Sequence, residues 1–489
     1  MENSKGNIGK KAVVGTIYTL TGDYLGYVIN FIRGIILARL LAPELFGIFA
    51  MADFYQSLFG QPNQIGLDQA VIQRKDKLEE AYNGHLLIKL ISAGVSLILA
   101  VAAAPILFKF YDHRIVWALY GLMSVVLLQS LSATQTTYLR KHFAFKKISL
   151  IQIVSALITF GVSIYLAWAG YGVWALVSVH VVMAVVTLLL QWLASPWRPT
   201  RKLDKNVNRE MLGFGITIWV GGIFSFVMLQ FDDFLVGQFA GILTLGFYAK
   251  AYSLAQHPLG LFAQAVNNVA APLIAEVKNA PEKLEKAMNL MLGLVYKGTV
   301  FVGMIFFIWS PQIITLLIGE KWLPAVPFLR GLIIYLLTRP LWDIVGTFLT
   351  YTNRPRLFVK GQAVQALGLV LAGTGAVYKF GGAGAALSVS SILFLTTVYY
   401  LIKHVGSTVR VDWKNIFILP TLAMMSSGFL SWQLIKLWFN EGIIFWFVLC
   451  FLPLTLYVLM LLLLQRRVLV QDVRYLYQKA GLKTTVTPS

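Results

Sequence analysis

The sequence is poor in charge and nearly without cysteine. Cys450 is its only cysteine, which excludes a disulfide framework and a Cys-based metal site. Charged residues make up 13% of the 489 residues, whereas 58% are hydrophobic and the mean hydropathy is +0.71. A soluble globule of this size needs more polar surface than this composition supplies. The chain is therefore predicted to be a multi-pass membrane protein.

Long polar loops, and with them soluble domains, are also missing. Windows of roughly 20 apolar residues, enough for one bilayer crossing, follow one another with short polar breaks. This pattern indicates helices rather than the alternating strands of an outer-membrane barrel. We predict an all-helical protein with about fourteen transmembrane helices, from residues 13–39 to residues 443–464. Met1–Lys11 is polar and basic and is followed by no signal-cleavage site, so we expect the first span to be retained.

Acidic residues are scarce, with 21 Asp and Glu against 41 Lys and Arg. The net charge of +20 would suggest nucleic-acid binding in a soluble protein, but the basic residues cluster in alternate breaks, such as Arg140–Lys147. By the positive-inside rule these breaks and both termini are cytoplasmic, and no nucleic-acid partner is expected. Among the outer loops only Pro311–Val326 is long enough to lie along the outer surface as a partial helix. Trp residues near span ends suit interfacial belts, among them Trp197, Trp322, Trp413 and Trp438.

An internal repeat divides the chain. Gly47–Ala50 aligns with Gly246–Ala249 at an offset of 199 residues. Three further segments match in the same order with slowly drifting offsets: Lys77–Asn83 with Lys283–Asn289, Thr137–Lys147 with Thr350–Lys360, and Gly170–Leu176 with Gly381–Leu387. An even number of helices per unit gives both units the same sidedness, as in transporters that alternate access between two parallel repeats.

We therefore predict an N-lobe of six helices over 1–195, a basic cytoplasmic linker over 196–210 and a C-lobe of six helices over 211–402. Residues 403–489 would add a helix pair and a cytoplasmic tail. The glycine-rich Gly381–Gly384 lacks the Lys-Ser/Thr of a phosphate-binding loop and is interpreted as a tight turn between two spans.

Ionisable residues within the predicted spans are the candidate functional residues, because bilayer interiors tolerate such groups mainly at functional sites. Arg33 lies well inside the first span, where its guanidinium offers a planar fork to phosphate oxygens. An ion pair or a snorkelling side chain is the simpler interpretation, and for Arg39 snorkelling is favoured. Cations outnumber acids, which favours an anionic substrate. The candidates for a cationic cavity are Arg33, Lys89, Lys250, Arg330 and Arg339.

Intramembrane acids are candidates for gating or ion coupling: Asp23, Asp53, Asp68, Asp232 and Asp233. Asp232 occupies the repeat position of Arg33, so we hypothesise that Arg33 pairs with Asp232 or Asp233 across the lobes and helps to close a gate. Pairing of the aspartates within their own lobe is the open alternative. His180 and His257 are isolated on apolar helices and are interpreted as core histidines without metal-ligand spacing. No metal or cofactor is predicted, and a coupling ion, proton or sodium, is left open.

Three segments carry a family resemblance: ILARLLAPELFGIFA, GLDQAVIQRK and YGVWALV. With the duplication, they resemble the polysaccharide transporter family of the multidrug/oligosaccharidyl-lipid/polysaccharide flippase superfamily, which includes O-antigen and colanic-acid type flippases. The resemblance implies translocation of undecaprenyl-pyrophosphate-linked oligosaccharide repeat units across the bacterial inner membrane for polysaccharide biosynthesis. It implies a cationic cavity, with Arg33 in a context similar to an arginine of related lipid II flippases, and a lipid-tail groove formed by the helices after residue 415.

This interpretation needs no covalent step, so the chain is not expected to be an enzyme. Its expected partners are the lipid-linked glycan, the bilayer and, as an open question, polysaccharide polymerase and assembly proteins. An ion-coupled multidrug or metabolite antiporter of the same superfamily is the alternative. A membrane glycosyltransferase or polymerase fits less well, because such enzymes generally need a substantial extramembrane domain.

Overall fold

The computed structural model describes residue 22, residues 24–438 and residues 443–479; side chains are described over 24–257, 270, 273–434, 451–466 and 468–470. These residues form helices and connecting turns without a β-strand, which confirms the predicted all-helical class. Asp23, one of the predicted acids, lies outside the described residues.

The first half of the described chain contains helices of contrasting length. They are α1 (24–40), α2 (Pro43–Phe59), α3 (Leu67–Gln73), α4 (Leu78–Phe110), α5 (His113–Lys141), α6 (Phe145–Trp168), α7 (Val173–Ala194) and α8 (Lys205–Phe239). Pro43 separates α1 from α2, since proline is tolerated in the first turn of a helix but not in its interior. A short 3₁₀ turn, Gln61–Gln64, follows α2 and leads into α3.

The second half continues as helices with breaks at proline, glycine and π-helical turns. They are α9 (Ile242–Val277), α10 (Pro281–Ile318), α11 (Val326–Gly331), α12 (Ile333–Tyr351), α13 (Pro355–Gly368), α14 (Thr374–Tyr400), α15 (Leu419–Trp438) and α16 (Ile443–Lys479), with a 3₁₀ turn at Glu320–Ala325 and π-helical turns at Leu369–Gly373, Leu401–Val405 and Lys414–Ile418. Gly381 interrupts α14 with φ +59° and ψ −144°, a conformation that favours glycine. The predicted turn between two spans lies at this residue.

Within the described ranges, eight helices are long and apolar enough to cross a membrane, or nine if the bent pair Glu320–Gly331 and Ile333–Tyr351 is one span. One of the eight is the 51-residue stretch Pro355–Val405. At 1.5 Å per residue a straight helix of that length would measure about 77 Å, far more than a hydrocarbon core of about 30 Å. The break at Gly381 resolves this mismatch. The structure supports a multi-pass membrane protein, and the count of fourteen spans stays a prediction.

The chain divides into two compact units. Unit 1 comprises the described residues up to Lys250 together with Leu317–Trp322 and Leu369–Ala385. Unit 2 comprises Ala251–Leu316, Leu323–Gly368 and the described residues from Ala386 onwards. The predicted lobe boundaries were drawn from the sequence repeat and stay a prediction.

One expectation about the interfaces with water was wrong. Trp322 and Trp197 are buried rather than placed in an interfacial belt, whereas Trp413 is 37% exposed. The side chain of Trp438 is outside the described set. Pro311–Val326 is largely helical: the part of α10 beyond the break at Trp309 runs to Ile318, and a 3₁₀ turn covers Glu320–Ala325, so its place along the outer surface stays a prediction. Pro311 lacks a backbone N–H, and the helix accommodates it by bending just before it.

The basic linker is folded against unit 1 at the end opposite the short loops. Trp197 packs in a hydrophobic cluster with Tyr82, Leu67 and Met211. The side-chain amide of Asn83 accepts a hydrogen bond from the Thr200 backbone N–H at 2.9 Å and donates to the Thr200 hydroxyl at 2.8 Å. The linker is thus held by buried contacts as well as by charge.

Ion pairs also join the linker to the residues at the start of α4. Lys77 donates to Asp204 at 2.6 Å, and Lys202 donates to Glu79 at 2.9 Å. The hydrogen bond from Lys77 holds the pKa of the Asp204 carboxyl below its ordinary value. Asp204 also caps the N-terminus of α8 by accepting from the backbone N–H of Asn206. These pairs are solvent-exposed, so they order the linker more than they stabilise the fold.

We predict that Trp197→Ala lowers the free energy of unfolding by about 3 kcal/mol, because it empties a packed site. Trp168→Ala is the matched control, since the Trp168 side chain is 76% exposed at the end of α6 and packs little. Thermal unfolding of the purified protein in detergent measures both variants. Equal melting temperatures for the two variants would show that the linker is not anchored by this cluster.

Candidate functional site

Four helices carry half of the ten predicted intramembrane charges, all of them at residues of unit 1. Arg33 lies on α1, Asp53 on α2, Asp232 and Asp233 on α8, and Lys250 on α9. Asp233 interacts electrostatically with both Asp232 and Asp53, so the carboxylates of two helices face a common region. The structure therefore brings three of the predicted acids together.

A histidine links these acids to the cation of α1. His180 on α7 interacts electrostatically with both Asp53 and Arg33, and its ring stacks on Phe49 with ring centroids 5.4 Å apart. The sequence interpretation of His180 as an isolated core histidine was wrong, because His180 is exposed and has charged neighbours. Its distance in sequence from Asp53 and Arg33 gave no signal of this contact.

Arg33 is a buried cation with an unsatisfied donor. Its side chain is buried, with the residue 8% exposed, and its Nη1 has no hydrogen-bond partner in the part of the chain that the structure describes. A buried donor without a partner carries a desolvation cost of about 1–3 kcal/mol, and more when it is charged. An anion with oxygen acceptors would remove that cost.

A second buried cation binds the backbone of α1. The ammonium of Lys250 donates to the carbonyl oxygen of Gly34 at 2.9 Å and lies 5.4 Å from the centroid of the Phe46 ring. Gly34 follows Arg33 directly on α1, so the Lys250 ammonium binds the α1 backbone one residue from Arg33 in sequence. Neither contact neutralises the charge of Lys250, and we call these two buried cations, Arg33 on α1 and Lys250 on the α1 backbone, the positive locus.

Asp232, the repeat counterpart of Arg33, has a local partner. Its Oδ2 accepts a hydrogen bond from the Tyr248 hydroxyl at 2.5 Å, and its side chain is buried. Across the described side chains, no ion pair within 4 Å joins Arg33 to Asp232 or Asp233 in this state. The cross-lobe pair stays a prediction.

Asp68 and Lys89, assigned to different roles from sequence, lie in one polar cluster. Asp68 on α3 accepts a hydrogen bond from the Thr137 hydroxyl at 2.7 Å, and the Lys89 ammonium is 3.7 Å from its other oxygen. Lys89 also donates to the carbonyl oxygen of Asn63 at 2.9 Å. Lys89 is thus already paired, and its place in a cationic cavity stays a prediction.

His85 completes this cluster and was missed by sequence reasoning. Its Nε2 is 3.2 Å from Asp68 Oδ1, its Nδ1 is 2.9 Å from the Thr134 hydroxyl, and the residue is fully buried. The available signal was its position four residues before Lys89, which places both on one face of α4. The cluster ties α3, α4 and α5 together.

The remaining predicted cations belong to unit 2. Arg330 is exposed and donates to the Phe307 carbonyl oxygen at 3.1 Å and to the Ser310 hydroxyl at 2.9 Å. Arg339 lies 3.5 Å from Asp343 one turn along α12. Both cations therefore have partners within their own unit, and a role for them in a substrate site stays a prediction.

Unit 2 also contains an apolar cavity of about 390 Å³. Its wall includes Tyr296, Leu337, Phe394, Trp413 and Phe417, from α10, α12, α14 and the residues preceding α15. Apolar and aromatic walls of this kind suit a hydrocarbon chain rather than a charged headgroup. Among the side chains described, no group of three His, Cys, Asp or Glu is placed to hold a metal ion.

Comparison with known proteins adds the family to this geometry. Residues 36–327, more than half of the chain, match the family described as polysaccharide biosynthesis protein. The chain belongs to this family. Its relatives include the teichuronic acid biosynthesis protein TuaB of Bacillus subtilis (strain 168), 27% identical over 302 residues, which are 60% of this chain and 61% of TuaB. The succinoglycan biosynthesis transport protein ExoT of Rhizobium meliloti (strain 1021) is 24% identical over 66% of this chain and 65% of ExoT.

The matched region thus spans less than two thirds of either relative. The fold matches more completely. A solved structure described as the lipid II flippase MurJ in an inward closed conformation aligns with 94% of this chain and 100% of MurJ, with a TM-score of 0.77 and 14% identity. The family member therefore has the fold of the multidrug/oligosaccharidyl-lipid/polysaccharide superfamily, as the resemblance implied. ExoT is named a transport protein and MurJ a flippase, which agrees with the prediction that the chain is not an enzyme.

We predict that Asp68→Asn lowers the free energy of unfolding by about 2 kcal/mol, because it removes the acceptor charge shared by His85 and Lys89. Its carboxylate is partly exposed, which keeps the effect below that of a fully buried pair. Asp76→Asn is the control, since the Asp76 side chain is 70% exposed and its pair with Arg74 lies at the surface. A melting temperature unchanged in both variants would contradict a stabilising role for the cluster.

Proposed function

We propose that the chain is a flippase that moves undecaprenyl-pyrophosphate-linked oligosaccharide repeat units from the cytoplasmic to the outer leaflet of a bacterial inner membrane for polysaccharide biosynthesis. The observation that carries the proposal is the buried Arg33 guanidinium, whose Nη1 has no described hydrogen-bond partner, on the same helix whose backbone binds the Lys250 ammonium. Buried cations in an apolar fold suit the oxygens of a pyrophosphate. The family and the MurJ-like fold support the same cargo class.

The finer architecture belongs to this proposal. Fourteen helices would form two six-helix lobes and a C-terminal pair, with both termini in the cytoplasm. The lobes would alternate access by rocking about the headgroup site. A pyrophosphate and a sugar chain lose their hydration in hydrocarbon at a cost of many kcal/mol, so they need a hydrated positive path.

The apolar cavity of unit 2 supports a separate place for the prenyl tail. It lies beside Trp413 and Phe417, just before the helix pair after residue 415. A tail that remains in apolar surroundings while the headgroup crosses a polar path avoids most of the desolvation cost. Moving the headgroup along one path and the tail through another needs no covalent step.

An ion-coupled antiporter of the same superfamily is the second candidate. The observation that favours it is the group of Asp53, Asp232 and Asp233, in which like charges lie close to one another. Carboxylates in such an arrangement favour taking up a proton or a sodium ion. A flippase could use the same acids as its coupling site. The acids therefore do not distinguish the two functions, and only the identity of the transported molecule does.

We predict that Arg33→Gln lowers the rate of flipping at least about tenfold, because the buried charge-assisted hydrogen bonds to the cargo are lost. A fluorescent undecaprenyl-pyrophosphate oligosaccharide in proteoliposomes measures the rate. Lys250→Gln should act in the same direction. The control is Arg140→Gln, which removes an exposed arginine in the last turn of α5.

No flipping by the folded wild-type protein, under both proton and sodium gradients, would contradict the flippase. Uptake of an organic cation driven by one of those gradients, and abolished by Asp233→Asn, would then favour the antiporter. Equal loss of flipping in Arg33→Gln and Arg140→Gln would show that the effect is not specific to the positive locus.

A further inference from the structure

The C-terminal end of α1 is capped by a segment that lies about 280 residues away in sequence. The indole N–H of Trp322 donates to the carbonyl oxygen of Ala38 at 2.9 Å. The ammonium of Lys321 donates to the carbonyl oxygens of Arg39 at 2.7 Å and Leu41 at 2.8 Å. In the other direction, Arg39 Nε donates to the carbonyl oxygen of Leu317 at 2.9 Å. We name residues 317–322 the latch segment.

The sequence explains why α1 needs this cap. The last carbonyl groups of a helix have no partner within it. The carbonyl of Arg39 would normally accept from the N–H of residue 43, but that residue is a proline and has none. Lys321 supplies the missing donor and adds a positive charge at the negative end of the helix dipole.

Trp322 connects the cap to two further helices. It is fully buried, and its ring meets Phe46 of α2 edge-on with centroids 5.1 Å apart. On another side it meets Phe247 of α9 edge-on at 6.0 Å. One side chain therefore binds α1, α2 and α9, all within unit 1.

Helices α2 and α9 cross in a symmetric arrangement, in which equivalent positions of the sequence repeat meet. A Cβ added to Gly47 would lie 1.8 Å from the carbonyl oxygen of Ile242, and one added to Gly246 would lie 2.1 Å from the carbonyl oxygen of Pro43. Gly246 and Ile242 are the repeat equivalents of Gly47 and Pro43 at the offset of 199. The contact is thus self-complementary, as at a two-fold axis, and it is too close for any side chain.

We propose that the latch segment holds the outer ends of α1, α2 and α9 together, and that Lys321 and Trp322 must leave α1 before the protein opens to the outside. The inference rests on the proposed function for its alternating cycle and on the basic-loop pattern for its sidedness. Lys321 and Trp322 are positioning residues that act on the transport cycle without touching the cargo. Weakening the latch shifts the population towards the outward-open state.

The test uses a cysteine reporter in the full-length protein in lipid nanodiscs. Cys450→Ser removes the native thiol, and Leu41→Cys places a reporter at a buried position whose own carbonyl Lys321 binds. Labelling by a charged maleimide should be slow in this background. We expect Lys321→Met to label at least about tenfold faster, the change that loss of even one of its two charge-assisted hydrogen bonds produces. Lys321→Arg keeps its donors and should restore slow labelling.

Two controls separate opening from general loosening. Lys109→Met removes an exposed lysine at the same end, on α4, and should leave labelling unchanged. A second reporter, Val71→Cys, lies fully buried at the opposite end, and Lys321→Met should leave it protected. Faster labelling of both reporters, or of Leu41→Cys in Lys109→Met, would overturn the latch, as would an unchanged rate in Lys321→Met.

The labelling test involves no cargo and therefore fails or succeeds independently of the flipping assay. Faster labelling in Lys321→Met without any flipping would leave the latch standing and refute the flippase. Flipping that depends on Arg33, with unchanged labelling in Lys321→Met, would refute the latch alone.

Discussion

An ionised side chain inside an apolar fold needs a partner, because it has lost the hydration that stabilises its charge in water. This constraint organises unit 1. Lys89 lies against Asp68, Asp232 holds the hydroxyl of Tyr248, and Lys250 rests on a backbone carbonyl and an aromatic ring. Arg33 departs from the pattern with a buried nitrogen that no described group satisfies. Asp232 departs from it in part, since its other oxygen, Oδ1, is also buried without a described hydrogen-bond partner.

The helical class and the alternation of basic and short loops were predictable, since both follow from composition along the chain. Contacts agree with the alternation: Lys77, Asp204 and Glu79 of the basic breaks meet at one end of unit 1. At the other end, Arg114 bonds Glu44 beside the short loops. Local hydropathy carries this information, and no knowledge of helix packing is needed to extract it.

Partners across helices were not predictable. Asp68 and Lys89 were assigned to separate roles, and His85 was overlooked, because the rotation of α3 against α4 decides which side chains meet. Trp322 was assigned to the interface on the general preference of tryptophan for span ends. Its indole instead donates to the carbonyl oxygen of Ala38 near the end of α1, a contact that becomes visible only when α1 and the latch segment are placed together.

The crossing of α2 and α9 restricts how the two halves of the gene can diverge. In the predicted repeat, equivalent positions such as Arg33 and Asp232 carry opposite charges, so divergence at that depth is compatible with the fold. Gly47 and Gly246 have no such freedom, because the backbone of the opposite helix occupies the space that a side chain at either position would need. A mutation at either glycine has no compensating partner mutation, since nothing smaller than glycine exists. The two predicted repeats are therefore restricted to glycine at this point, however far the rest of their sequences diverge.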